Sequence, residues 1–131
     1  MLVRYLPTDS DAPVETDVGS TEALNEVLAA VWSHGSDRGV PAIEMVSEEG
    51  STLVVGQTLL GAVLLWIDSC GNSFHSVGPA GSGEGTVVFD YFGSYTEVPT
   101  ECVVPLDLGR AAAFAFLVGE HPGGEDLGYG G

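Results

Sequence analysis

Ala62-Val63-Leu64-Leu65-Trp66-Ile67 is an unbroken apolar run in a chain of 131 residues, and Val87-Val88-Phe89 continues past Asp90 into Tyr91-Phe92. Gly61 precedes the first run and Ser69-Cys70-Gly71 follows it, so its length suits a strand held between turns. Along a strand, alternate side chains point to opposite faces. Val63, Leu65, Ile67, Phe74, Val87, Phe89 and Tyr91 are therefore assigned to a face covered by helices, which leaves Leu64, Trp66, Val88 and Phe92 on the other. An antiparallel sheet covered on one side reads polar on its second side. Here both sides read apolar, and Asp68, Asp90 and Glu97 border the surplus. Such a patch is expected of a surface that binds a protein with basic features. Cover by the C-terminal residues or by a dimer mate is the alternative.

The same punctuation places further strands at residues 2–5, 42–47, 52–60, 62–68, 72–77 and 86–92. Short connections favour antiparallel neighbours. Residues 7–19 are Pro- and Asp-rich and read as a loop. Ser20 or Thr21 then stands where a helix cap belongs, and Leu24, Val27, Leu28, Val31 and Trp32 form a stripe at helical spacing that Gly35 ends. After an extended stretch at 97–104, Pro105 suits the first position of a second helix. Leu106, Ala113, Phe116 and Leu117 supply its buried side, and Gly119 and Pro122 close it. The expected fold is α+β: one antiparallel sheet of about five to six strands with two helices packed on one face. Residues 1–122 form this single domain, and the Gly-rich acidic residues 123–131 are expected to be a mobile tail.

Charge narrows the function. Arg4, Arg38 and Arg110 are the only Lys or Arg residues against 19 Asp and Glu, a formal net charge of −16. Nucleic acid and anionic membranes are gripped by clustered cations, so neither is an expected direct partner. A mean hydropathy of +0.25 gives the chain enough apolar surface to collapse. The excess acid favours a strongly basic partner, with plain solubility as the bland explanation. The N-terminus has no apolar signal segment, and the expected location is the cytoplasm.

No chemistry-bearing motif stands out. Cys70 and Cys102 lack CxxC spacing, and His34, His75 and His121 lack the HxxxH spacing that puts two ligands on one metal ion. Cys70 and His75 can approach across a hairpin, but two ligands do not make a zinc site. Gly71-Asn72-Ser73-Phe74-His75 lacks the second glycine of a nucleophile elbow. In Gly78-Pro79-Ala80-Gly81-Ser82-Gly83-Glu84-Gly85 a glutamate stands where a phosphate cradle needs lysine. The chain is therefore expected to be no enzyme and to hold no cofactor or structural metal.

From residue 72 onward an ordered series of short motifs carries a resemblance: Asn72-Ser73-Phe74-His75-Ser76-Val77-Gly78, Gly85 before Val87, Glu97-Val98-Pro99, Cys102-Val103-Val104-Pro105, and Phe116-Leu117 with Pro122 beyond. It resembles the first-described immunity-protein family of bacterial polymorphic toxin systems, often paired with cytidine deaminase toxins that act on DNA. The resemblance implies a small α+β protein that binds and blocks the catalytic domain of its cognate toxin inside the producing cell. Family members continue past the closing proline into a short strand with a tryptophan, whereas this chain runs Gly123-Gly124-Glu125-Asp126-Leu127-Gly128-Tyr129.

The expected partner is thus a basic toxin domain, a deaminase. Trp66, Phe92 and Tyr95 are the expected aromatic anchors, and Asp68, Glu84 and Asp90 the acids that meet its basic groups. Asp90 matters most in this scheme, because it falls between Val88 and Phe92 on the outward face. The alternative for Asp90 is an inward side chain that satisfies a helix terminus. Two other functional classes stay open: a structural or assembly module whose acidity only confers solubility, and a small enzyme using an unidentified carboxylate pair.

Overall fold

Ser20 opens the first helix by accepting a hydrogen bond from the Ala23 N–H at 3.1 Å, which satisfies one of the amides a helix start leaves free. In the computed structural model this helix, α1, spans Thr21–Ser33. The structure describes residues 1–7, 12–33, 40–58, 61–76, 85–92 and 94–119. Among the described residues eight strands accompany it: β1 (Leu2–Tyr5), β2 (Val14–Asp17), β3 (Val40–Val46), β4 (Thr52–Gln57), β5 (Ala62–Ile67), β6 (Ser73–His75), β7 (Thr86–Tyr91) and β8 (Ser94–Pro99). A 3-10 turn at Thr100–Cys102 leads to α2, Leu106–Leu117.

Six strands lie side by side in the order β2-β1-β3-β4-β5-β6, each pair antiparallel. The registers Ile43↔Val55 and Val55↔Leu64 align the apolar residues of β3, β4 and β5 across the ladder. On one face Ile43, Met45, Leu53, Val55 and Leu64 meet Leu24, Leu28 and Val31 of α1 and Ala112, Ala113 and Phe116 of α2. Close approach fixes this side: a Cβ on Gly109 of α2 would stand 2.6 Å from that of Ala62. Only glycine lets the helix settle so near β5.

The opposite face is covered as well. β7 and β8 form an antiparallel hairpin that lays Val87 and Phe89 on Ala42, Val54 and Val63, with Cys102 beside them. A Cβ on Gly56 would lie 2.7 Å from the Phe89 ring, so this glycine in β4 makes the seat for the phenyl group. β7 also runs parallel to β3 at one register, Pro41↔Asp90, where β3 is irregular between Val40 and Ile43. Beyond β6 the edge of β5 is completed by side chain and loop. Ser76 Oγ accepts from the Leu64 N–H at 3.0 Å and donates to the Cys102 carbonyl at 2.6 Å, and Ala62 bridges Val104.

The α+β architecture with both helices on one face is as expected, but three details are corrected. Two strands were not read as such: β2 lies within the expected loop, and β8 begins before the stretch read only as extended. The parity of β5 is reversed, since Leu64 and Trp66 face the helices while Val63 and Leu65 face the hairpin. Pro105 occupies the cap of α2, one position earlier than expected, with extended backbone. Gly35, the loop at 78–84 and the expected tail at 123–131 fall outside the described residues, as does the Trp32 side chain.

Candidate functional site

Among the described residues, the expected binding residues do not share one exposed face. Trp66 is half-buried against the helix-side core and stacks on Phe74, ring centroids 5.1 Å apart. Asp68 holds the turn after β5: its Oδ1 accepts from the Cys70 and Asn72 amides, both at 2.9 Å, and its Oδ2 from the Asn72 side chain at 3.1 Å. Those bonds, the Asn72 side chain foremost, hold its carboxyl below the usual range. Asp90 is 7% exposed, which overturns the expectation that it faces solvent. Alternation does turn it away from Phe89, as expected, but it sits where β7 pairs with β3, opposite Pro41. Tyr95 pairs with Asp90 across the hairpin; its side chain and the whole of Glu84 lie outside the described residues.

Phe92 belongs to a second cluster. It follows β7 with a left-handed backbone, φ 52°, and the Arg4 guanidinium stands 5.6 Å from its ring centroid. Val3 points into the helix-side core, so Arg4, next along β1, points to the hairpin side. Its Nε lies 3.0 Å from Glu15 and its Nη1 3.2 Å from Glu44. The Tyr91 hydroxyl donates to the other Glu44 oxygen at 2.9 Å. Burial, then that bond to Glu44, pushes the phenol pKa up. One arginine thus ties β1, β2, β3 and the hairpin together, and two carboxylates absorb its charge.

Chemistry of the nucleophilic kind finds one candidate that spacing did not offer. Cys102 Sγ lies 3.7 Å from His75 Nδ1, with the ring also 3.1 Å from the Ser76 carbonyl. Burial, reinforced by the neighbouring Glu101, pushes the Cys102 thiol up, the opposite of what an activated thiolate needs. Cys70 is exposed. A thiol reagent at pH 8 should therefore label Cys70 quickly and Cys102 only slowly in the folded protein, with both equal in denaturant. Equal labelling of both in the native state would contradict this burial. No group of three metal-ligating side chains occurs among the described residues.

A groove of about 510 Å³ lies on the helix side, between the β3–β4 turn and the end of α2. Met1, Val18, Trp66, Phe116 and Leu117 line it, and Glu48 and Glu49 from the β3–β4 turn stand at its rim. Of the expected residues whose side chains the structure describes, only Trp66 lines it.

The Imm1 immunity-protein family model matches residues 12–122. The chain belongs to the Imm1 family. No curated protein and no solved structure matches it. The Imm1 match takes in β2 through α2 and therefore both faces of the sheet. Membership makes this an immunity protein directed against a toxin, so its partner is that cognate toxin. For an Imm1 protein the useful features are surfaces, and the groove is the one that sequence reasoning missed. Its walls come from five separate stretches of the chain, and the only local signal was Glu48-Glu49 at a turn.

Proposed function

We propose that this immunity protein acts in the cytoplasm of the producing cell, where it binds the catalytic domain of a nucleic-acid deaminase toxin and occludes its substrate cleft. The observation that carries this reading is the charge. The chain holds −16 overall, and its described arginines are engaged within the fold: Arg4 with Glu15 and Glu44, Arg110 with Asn25 and the face of Phe114. A domain that handles nucleic acid presents a basic cleft, and an acidic body is steered toward it. The assembly-module alternative loses its motive, because β7 and β8 cover the face that looked bare. The enzyme alternative gains nothing from a thiol held protonated.

The test uses the catalytic domain of the cognate toxin, with cytosine in single-stranded DNA as the substrate. An equimolar amount of the immunity protein should abolish deamination. The association rate should fall by about tenfold or more between low and physiological salt, with a smaller change in dissociation. A flat association rate would reduce the acidity to solubility. Undiminished deamination by a bound toxin would remove the cleft-blocking mechanism.

A further inference from the structure

We propose that the groove between the β3–β4 turn and the end of α2 receives a lysine or arginine side chain, with an apolar neighbour, from the cognate toxin domain. This rests on the toxin-binding reading above and adds where and how the toxin is held. The lining is largely apolar: Met1, Val18, Trp66, Phe116 and Leu117 contribute to it. The rim is acidic, since Glu48 and Glu49 are exposed on the turn that closes the groove. A further negative pole comes from the backbone. α2 ends at this groove, its last turn carries no basic residue, and Gly119 just beyond it lines the wall. The C-terminal carbonyls of a helix are equivalent to about half a negative charge.

The cation already present among the lining residues is the Met1 ammonium, which donates to Asp17 Oδ1 and to the Val18 carbonyl, each at 3.2 Å. It is satisfied and leaves Glu48 and Glu49 unneutralised by it. An aromatic lining with an acidic lip suits an amphipathic cation: the aliphatic stem lies on Trp66 and Phe116 while the charged head reaches the glutamates. About 510 Å³ is room for such a side chain and one neighbour.

Charge also chooses among occupants. Residues 120–131 follow directly from the groove wall but carry Glu120, Glu125 and Asp126 and no Lys or Arg. A second copy brings the same net charge of −16. A basic toxin is the complementary occupant.

The experiment measures binding of the full chain to a catalytically inactive form of the cognate toxin domain. Glu48→Lys/Glu49→Lys is compared with Glu26→Lys/Glu101→Lys, which makes the same change in net charge at exposed positions elsewhere. The groove variant should weaken binding by about 30-fold or more while the control loses only a few-fold from reduced steering. Melting temperatures of both variants confirm folding, and Trp66→Phe, which keeps the ring packed on Phe74, should cost several-fold by itself. Equal losses in the two double variants would overturn the groove as a specific site. An unchanged Kd in the groove variant would overturn it too, whether sedimentation then gives the groove to a second copy or proteolysis gives it to residues 120–131. Either result leaves the immunity reading standing as long as the wild-type chain binds. Failure of the wild type to bind would remove that reading, and this proposal with it.

Discussion

Truncation of Phe89 to alanine should cost about 3–5 kcal/mol of unfolding free energy, the range for emptying a buried phenyl site. Phe89 is 7% exposed and sits at the centre of the hairpin-side core, among Ala42, Val54, Val63 and Val87. Its loss removes the main apolar contact by which β7 and β8 hold the sheet. Net stabilities of domains lie near 5–15 kcal/mol, so the loss is a large share of the total. A companion change makes the test specific. Gly56→Ala alone should destabilise, because the new methyl would meet the Phe89 ring at 2.7 Å. In the Phe89→Ala background the same methyl enters vacated space, so the two losses should not add. Urea unfolding of the four proteins measures this coupling. A Phe89→Ala loss below about 1 kcal/mol, or strict additivity, would mean that the hairpin does not hold this face.

Asp90→Arg should lower the melting temperature sharply, by roughly 10 °C or more, through a loss of about 3–5 kcal/mol. Asp90 is buried where β7 meets β3, opposite Pro41 in one strand and Tyr95 in the other. A longer side chain of opposite charge must either stay there without its old partners or force the two strands apart. Asp90→Asn keeps the shape and should cost much less. Calorimetry on both variants decides the matter. An unshifted melting temperature for Asp90→Arg, together with lost toxin binding, would return Asp90 to the surface where sequence reasoning put it.

What the sequence disclosed, and what it hid, follows from how far each determinant reaches along the chain. Local determinants were legible. Leu24, Leu28 and Val31 at helical spacing with Ser20 ahead of them define α1, and alternation with glycine-rich turns defines β3, β4, β5 and β7. The parity of β5 was not legible, because Leu64 and Leu65 are equally apolar and each is covered by something. What separates them is Gly109, distant in sequence, which lets α2 approach Ala62 on the Leu64 side. β2 was hidden because Val14-Glu15-Thr16-Asp17 is half charged and sits among turn formers. Its pairing depends on Arg4 in β1 reaching Glu15.

The candidate site was less legible for the same reason. The apolar excess on β5 and β7 was real, but it anticipated a second internal core rather than an open surface. Trp66, read as an aromatic anchor on the face away from the helices, lies instead on the helix side: its surroundings include Met1, Glu48 and Phe116, which no local pattern associates.

The place of β1 has a practical corollary for anyone dissecting this molecule. The segment by which the family is recognised starts at residue 12, yet β1 lies between β2 and β3 and is the strand that joins them. A fragment cut at that limit would strand β2 without a neighbour and leave the border of β3 unpaired. It would also strip Glu15 and Glu44 of their shared arginine. An open strand border of this kind invites pairing with other chains. Such a fragment should aggregate where the whole chain stays dispersed, because the smallest unit able to fold is longer at its beginning than the unit that identifies the lineage.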